Sequence, residues 1–104
     1  MTNAVERLWQ ALAVGDLERA AAELHPSLVV DWPHTGERFE SAAAFLAVHR
    51  TDRRVELRRV ITDGHHVAVE AFVEGDAASW AVAAFYDLRD GRISRAAEYW
   101  VQTR

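Results

Sequence analysis

The chain has 104 residues, of which 50% are hydrophobic and 27% are charged. This length and composition predict one globular domain, spanning residues 1–104, and exclude wholesale disorder. The absence of cysteine excludes disulfides, thiolate metal sites and cysteine nucleophiles. All 12 basic residues are arginine, which excludes Schiff-base chemistry by lysine. The formal net charge of −4 argues against nucleic acid or an anionic membrane as a partner.

The sequence shows no targeting or membrane-spanning pattern. No apolar run approaches the roughly 20 residues that a membrane helix needs. The N-terminal residues also lack the basic and then apolar order of a secretory signal. We therefore expect a soluble, cytoplasmic protein.

The first half of the sequence predicts helices, because apolar residues recur there with helical spacing. Gly15 and Asp16 end one helix and cap the next, and Ser41 can cap a third. A short β-rich run, Leu28–Trp32, precedes a turn signal at Pro33–Gly36. The three predicted helices are Ala4–Ala13, Leu17–Leu24 and Ala42–Arg50.

The second half predicts four strands rich in β-branched and aromatic residues, separated by Asp-Gly or Gly-Asp turn dipeptides. Helices followed by a four-strand meander predict an α+β domain, with the helices packed on one face of a mostly antiparallel sheet. The predicted strands are Val55–Thr62, Val67–Glu74, Ala78–Leu88 and Arg92–Gln102.

Both faces of the last two predicted strands are largely apolar, which is unexpected for a sheet that helices cover on one side only. The second face is therefore predicted to be covered, most simply by a symmetric dimer. Alternatively, a loop or the C-terminal tail covers this face, or its aromatic side chains are exposed to solvent. The predicted dimer surface consists of Trp80, Val82, Tyr86, Tyr99 and Val101.

The opposite face is predicted to combine small and large side chains, namely Ala81, Ala83 and Ala96 beside Phe85 and Trp100. Small side chains on a curved sheet leave room, which helix side chains can fill or which can remain as a pocket. Composition alone favours a filled core.

The order of the elements resembles the nuclear-transport-factor-two-like superfamily, in particular its SnoaL-like and ketosteroid-isomerase-like branches. The resemblance covers nearly the whole chain, and four segments carry it: Val14-Gly15-Asp16-Leu17, Val29-Val30-Asp31-Trp32-Pro33, Asp90-Gly91-Arg92-Ile93 and Glu98-Tyr99-Trp100. It implies a cone of three N-terminal helices on a strongly bent sheet that encloses a pocket. It also implies dimerisation through the outer sheet face.

The functional residues of the ketosteroid-isomerase-like branch match this sequence only in part. Asp31 matches its proton-transferring aspartate, although Trp32 separates it from the following proline. Leu8 and Ala83 stand where that branch has its two oxyanion donors, so both donors are missing. Trp100 matches its pocket-lining tryptophan. Steroid isomerisation by that route is therefore not expected, because losing one such donor typically costs about a hundredfold or more.

Asp31, Glu98 and His34 are the candidate catalytic residues. Asp31 would accept a proton if its carboxylate faces the cone, or it could instead cap the turn that follows it. Glu98 lies on an apolar strand face, where it either pairs with Arg59 or forms the second polar group of a pocket. His34 would orient or protonate a substrate, or lie on the surface.

The candidate ligand-binding set is mainly apolar and includes five aromatic side chains that could line a cavity. His49 could reach the mouth of that cavity or close the end of its helix. The set is Leu8, Trp9, Leu12, Val29, Trp32, Phe45, His49, Arg59, Val67, Val69, Phe85 and Trp100.

No metal and no organic cofactor is expected. His65 and His66 are adjacent, so their side chains diverge, and no ligand set has metal-binding spacing. The arginine-rich stretch at positions 50–59 is predicted to be a solvated face rather than a nucleic-acid surface.

Three functions remain open from the sequence. The first is binding of a small hydrophobic or polycyclic molecule, with or without cofactor-independent isomerase, cyclase or dehydratase chemistry. The second is a non-catalytic ligand-binding or dimerisation module with the same fold. The third is a purely structural interaction domain, whose cavity would be too small for a ligand.

Overall fold

The computed structural model describes residues 2–49 and 53–104. Within these residues, the helices are α1 (Ala4–Ala13), α2 (Leu17–Ala22) and α3 (Ala42–Ala47). The strands are β1 (Leu24–Trp32), β2 (Glu37–Phe39), β3 (Arg54–Asp63), β4 (His66–Glu74), β5 (Ser79–Arg89) and β6 (Arg92–Gln102). Among the helices described, none is long and apolar enough to cross a membrane.

The six strands form one mixed sheet in the order β2-β1-β6-β5-β4-β3. Strands β3 to β6 are an antiparallel meander, β1 runs parallel to β6, and β2 pairs antiparallel with β1. The predicted α+β class, with its helices in the N-terminal half, is confirmed.

Each helix begins at a side-chain cap that satisfies free backbone N–H groups. Asn3 and Glu6 form a reciprocal capping box at the start of α1. The Asp16 carboxylate accepts from the backbone N–H of Arg19, and the Ser41 hydroxyl oxygen accepts from that of Ala44. The predicted caps Asp16 and Ser41 are therefore confirmed.

The ends of α2 and α3 and the start of β1 differ from the sequence prediction by two to four residues, and the other boundaries of the predicted elements differ by at most one. Helix α2 ends at Ala22 and β1 begins at Leu24, so the strand runs through Pro26. The pairing of β1 with β6 shifts register between Leu24 and Val29, where a proline without an N–H can be accommodated. The short strand β2 was not predicted. Helix α3 ends at Ala47, and Arg50, the predicted end of this helix, lies outside the described residues.

The core lies between the helices and the inner face of the sheet. Helix α1 contributes Val5, Leu8 and Trp9, and α3 contributes Phe45, all at most 2% exposed. Burying a large apolar side chain contributes about 1.5–3 kcal/mol, so these contacts hold the helices on the sheet. The inner face of β4 supplies Val67, Val69, Ala71 and Val73.

The predicted face assignment of β5 is wrong. Val82 pairs with Trp100 and Ala84 with Glu98, so these residues share the inner face, together with Trp80 and Tyr86. The predicted dimer surface therefore mixed two faces: Trp80, Val82 and Tyr86 face inward, whereas Tyr99 and Val101 are exposed. Alternation separates two faces within a strand, but it does not say which face is buried when both are apolar.

Phe85, predicted to line the interior, is 56% exposed on the outer face. Its backbone pairs with that of Ala97, and its ring contacts Tyr99 edge-on with the ring centroids 6.5 Å apart. Ala83 is also exposed on this face. The small side chains Ala81 and Ala83 therefore leave no room inside the fold.

Candidate ligand pocket

A pocket of about 420 Å³ opens where the ends of β1, β5 and β6 meet the end of α3. Three of the four tryptophans of the chain line it, so its wall is predominantly aromatic. Its lining residues are Trp32, His34, Thr35, Val48, Arg53, Trp80, Trp100 and Gln102.

A larger depression of about 750 Å³ shares Arg53 with this pocket, but its wall is mainly charged. Small-molecule sites are typically concave and mainly apolar, so the tryptophan-lined pocket is the better candidate. The charged residues around the larger depression are Arg53, Arg54, Glu74, Asp76 and Arg104.

Strand pairing brings the three indoles together. Trp80 pairs with Gln102, two residues beyond Trp100, so both indoles occupy the same face of neighbouring strands. Trp32 ends β1, which runs parallel to β6 with Asp31 opposite Ala97. The Trp100 ring is 5.8 Å from the Trp32 ring and 6.2 Å from the Trp80 ring, measured between centroids.

The Arg53 guanidinium lies against two of these indoles. Its carbon is 5.5 Å from the Trp80 ring centroid and 5.8 Å from the Trp100 ring centroid, within cation–π distance. One of its nitrogens donates to the Val48 carbonyl at 3.1 Å. Partial burial lowers the pKa of Arg53, but the side chain remains the positive charge of the pocket wall.

A separate narrow cleft of about 10 Å³ lies next to this pocket and shares Arg53 and Trp100 with it. His49 lies in its wall and is 8% exposed. The His49 ring packs edge-on against Phe45, with centroids 4.8 Å apart. The remaining lining residues of the cleft are Trp9, Leu12, Val55 and Val73.

His49 Nε2 is buried and makes no hydrogen bond with the part of the chain that is described. Burial and, to a smaller extent, the nearby Arg53 charge together lower the pKa of His49 to about 4. His49 is therefore neutral at pH 7.

Beneath the indoles, the Glu98 carboxylate is 1% exposed and receives three hydrogen bonds. The Tyr86 hydroxyl donates to Oε2 at 2.6 Å, and Trp32 Nε1 and Trp100 Nε1 donate to Oε1 at 3.0 and 3.3 Å. Trp9 Nε1 donates in turn to the Tyr86 hydroxyl oxygen at 3.1 Å. Burial raises the pKa of Glu98 more than these donors lower it.

The predicted pairing of Glu98 with Arg59 is wrong. A guanidinium nitrogen of Arg59 lies 3.4 Å from Glu70, and the Arg59 side chain is largely exposed. The register of β3 shifts between Leu57 and Arg59, so Val60 rather than Arg59 continues the inward positions. Three neutral donors satisfy Glu98 instead of a cation.

The predicted orientation of Asp31 toward the cone is also wrong. Asp31 lies between the inward-facing Val30 and Trp32, and its carboxylate binds Arg38 Nε at 2.7 Å across the β1–β2 pair. Arg95 is 3.7 Å away on the same outer face. The hydrogen bond from Arg38 lowers the pKa of Asp31, which opposes a role as a general base.

The other predicted site residues fall into four groups. Trp32, His34 and Trp100 line the pocket, and Trp9, Leu12 and His49 line the narrow cleft. Leu8, Phe45, Val67 and Val69 belong to the packed core. Val29, Arg59 and Phe85 lie away from the pocket, because their strand positions face outward.

Sequence reasoning missed Trp80, Arg53 and Tyr86. The sequence prediction places Trp80 and Tyr86 on the outer face of β5, so it does not assign them to the site. Their even spacing with Val82 does indicate that the three residues share one face. Arg53 was grouped with solvated arginines, and only its contact with Trp80 distinguishes it. Within residues 2–49 and 53–104, no group of three or more potential ligand side chains could hold a metal ion.

Three N-terminal helices packed on a six-stranded mixed sheet are the arrangement of the nuclear-transport-factor-two-like class of folds, and solved structures described as members of this class share it with this chain. A SnoaL-like domain model matches residues 5–96, so the chain belongs to the SnoaL-like domain family. The resemblance described above is thereby confirmed. No curated protein is significantly similar to this chain.

Several solved structures share the fold. One, from Kribbella flavida DSM 17836 and provisionally assigned as a ketosteroid isomerase, has a TM-score of 0.88 and 22% identity, covering 97% of this chain and 77% of that one. A provisionally assigned polyketide cyclase from Sinorhizobium meliloti has a TM-score of 0.78 and 20% identity, covering 94% of each chain.

A further similar structure is an LEH-like epoxide hydrolase of M. tuberculosis, with a TM-score of 0.78 and 23% identity over 93% of this chain and 81% of that one. At these identities, the similarities establish a common fold. The fold is shared by proteins described with different reactions, so a specific activity has to be argued from the site.

Proposed function

We propose that this protein binds a small, flat, hydrophobic molecule in the pocket between Trp32, Trp80 and Trp100. The convergence of three indoles on one cavity of about 420 Å³ is the observation that carries the proposal. Pockets of roughly 300–1,000 Å³ with mainly apolar walls are typical of small-molecule sites. Aromatic walls favour a flat ligand, because stacked and edge-on ring contacts add to the burial of apolar area.

Binding without turnover is the better-supported form of this function. Within the described chain, the pocket lining contains no carboxylate. Asp31 lies on the other face of the sheet, and Glu98 is covered by indoles that hydrogen-bond to it. A proton-transferring group has to reach its substrate directly or through one water, so neither carboxylate is positioned for that step.

Acid–base turnover is the second candidate function. Glu98 lies directly behind Trp32 and Trp100, and burial raises its pKa toward the range of a proton donor. His34 at the pocket mouth would be the second polar group, and its ring is 5.9 Å from that of Trp32. This candidate requires the two indoles to move when a substrate binds.

Titration of the protein with indole by calorimetry tests the binding proposal. A ligand of this size in an aromatic pocket should bind with a Kd of roughly 0.1–1 mM. Trp80→Ala removes one wall and should weaken binding about tenfold. Phe85→Ala, an aromatic truncation on the outer face, is the matched control and should leave the Kd unchanged.

Undetectable indole binding, or equal weakening by Trp80→Ala and Phe85→Ala, would contradict the pocket as the binding site. If the protein converts a bound ligand and the rate has a bell-shaped pH profile, acid–base turnover rather than simple binding is the function. Because Glu98 would act as the proton donor, Glu98→Gln should then abolish the limb of that profile in which activity falls as the pH rises.

We also propose that the outer sheet face pairs with a second copy of the chain. Phe85, Tyr99 and Val101 are 56%, 39% and 61% exposed and lie next to one another on β5 and β6. An exposed apolar patch on a sheet is typical of an interaction surface. A symmetric dimer would cover it with an identical patch.

Sedimentation velocity tests this pairing with two matched substitutions. Val101→Asp places a charge in the patch and should yield monomers. Val14→Asp changes a valine of similarly high exposure in the turn after α1 and should leave the dimer intact. A monomeric wild-type protein at micromolar concentration would contradict the proposed dimer.

A further inference from the structure

The buried imidazole of His49 has an unused hydrogen-bonding atom. Its Nε2 is fully buried, and no atom of the described residues hydrogen-bonds to it. Leaving a buried polar atom unpaired is costly, so such atoms in folded proteins usually meet a partner. The residues around the ring supply apolar contact through Phe45 and Trp100.

The cleft next to His49 adjoins the tryptophan-lined pocket. Arg53 and Trp100 line both spaces, so a ligand in the wide pocket lies next to the residues that separate it from the narrow one. The cleft measures about 10 Å³, which is the space of one small polar group and too little for a ring. Its wall is otherwise apolar, from Leu12, Val55 and Val73.

We propose that the ligand of this pocket is a flat hydrophobic alcohol or phenol whose hydroxyl enters the cleft and hydrogen-bonds to His49 Nε2. This inference rests on the proposed binding function and specifies its ligand class. The ring system would lie against the three indoles, and the hydroxyl would satisfy the unpaired nitrogen.

A hydroxyl suits this position better than a charged group. A neutral imidazole nitrogen is an acceptor or a donor depending on its tautomer, and a hydroxyl can serve as the opposite partner in either case. An ammonium group would have to lose its hydration in a narrow cleft beside the Arg53 guanidinium, and a carboxylate would be drawn to that guanidinium rather than to the neutral imidazole. The adjacent Arg53 charge further disfavours a cationic ligand group.

Calorimetric titration with indole and with 4-, 5- and 6-hydroxyindole tests the inference. At least one hydroxyindole should bind wild-type protein about tenfold more tightly than indole, the effect of one neutral hydrogen bond. His49→Phe keeps a planar ring against Phe45 and should abolish this advantage while indole affinity stays within about threefold. His65→Phe, a histidine substitution in the exposed β3–β4 turn, should retain the advantage.

The outcomes separate the two proposals. If indole and all hydroxyindoles bind wild-type protein equally, the pocket binds ligands but the role of His49 is refuted, as expected if a water molecule rather than the ligand pairs with Nε2. If none of the four compounds binds, the proposed binding function fails, and this inference fails with it. A hydroxyl advantage that persists in His49→Phe also refutes the role of His49.

A measurement on wild-type protein covers the case in which His49→Phe does not fold. Long-range ¹H–¹⁵N correlation spectra report the chemical shift of the His49 Nε2 atom directly. The preferred hydroxyindole should shift this resonance, whereas indole should leave it nearly unchanged. Equal responses to both ligands would overturn the inference.

Discussion

The Tyr86 hydroxyl donates a hydrogen bond to Glu98 Oε2 at 2.6 Å, with both side chains buried between the sheet and α1. Around this pair, the indole nitrogens of Trp9, Trp32 and Trp100 provide further donors. Two of these indoles also line the pocket, so the buried network fixes the position of its wall. Connected networks of this kind are stabilising only when every member is satisfied.

Tyr86→Phe should destabilise the fold by about 1–3 kcal/mol, because it leaves Glu98 Oε2 without a donor and Trp9 Nε1 without an acceptor. Urea denaturation measures this change in the free energy of unfolding. Tyr99→Phe removes the same hydroxyl from the exposed outer face and should change stability by less than about 0.5 kcal/mol. Equal effects of the two substitutions would mean that the buried hydroxyl contributes nothing.

Substitutions at Glu98 should separate its hydrogen-bonding role from its charge. Glu98→Gln retains an acceptor for the indoles of Trp32 and Trp100, and should cost about 1–2 kcal/mol. Glu98→Leu leaves the buried Tyr86 hydroxyl and the partly buried indole donors of Trp32 and Trp100 unpaired, and should cost more than about 3 kcal/mol. Chemical denaturation gives the order of the free energies of unfolding of the two variants. A Glu98→Leu protein as stable as wild type would show that the hydrogen-bond network is dispensable.

Stability should fall in acid through His49. Its ordinary pKa of 6.5 drops to about 4 in the folded protein, so the unfolded chain binds the proton more tightly. The stabilisation of the fold that comes from neutral His49 is fully present above pH 6.5. About 3 kcal/mol of it is lost as the pH falls toward 4. The raised pKa of Glu98 acts in the opposite direction, because its protonation favours the folded state as the pH falls.

The difference in unfolding free energy between wild type and His49→Phe isolates this effect, since Glu98 is common to both. Urea denaturation between pH 8 and pH 4 should show a constant difference above pH 7. Below pH 7, the free energy of unfolding of wild type should fall relative to that of the variant. A difference that stays flat down to pH 4 would show that His49 is not protected from protonation.

Asp31→Asn should leave the pocket unaffected. The carboxylate binds Arg38 and Arg95 on the outer face, so the ligand does not meet it. Indole affinity should change by less than about threefold, compared with the larger loss in Trp80→Ala. Calorimetric titration makes the comparison. A large loss of binding or turnover in Asp31→Asn would restore the role that the family resemblance implies for this residue.

The secondary structure could be predicted from the sequence because its signals are local. Helical spacing and the caps Asp16 and Ser41 mark the helices, and Asp-Gly dipeptides mark two of the hairpin turns. These sequence signals fail where a local irregularity of a strand changes the alternation of its inward-facing and outward-facing residues. The register shift after Leu57 turns Arg59 outward, which simple alternation could not indicate.

The sequence by itself determined the fold class, the positions of most elements and the two apolar faces of the last strands. The tertiary structure decided that Trp32, Trp80 and Trp100 meet in one pocket, and that Glu98 and His49 are buried behind it while Asp31 is not. The physical reason is that burial depends on which strands pair and in what register. Those pairings join segments far apart in the chain, and a period of two fits either face equally well.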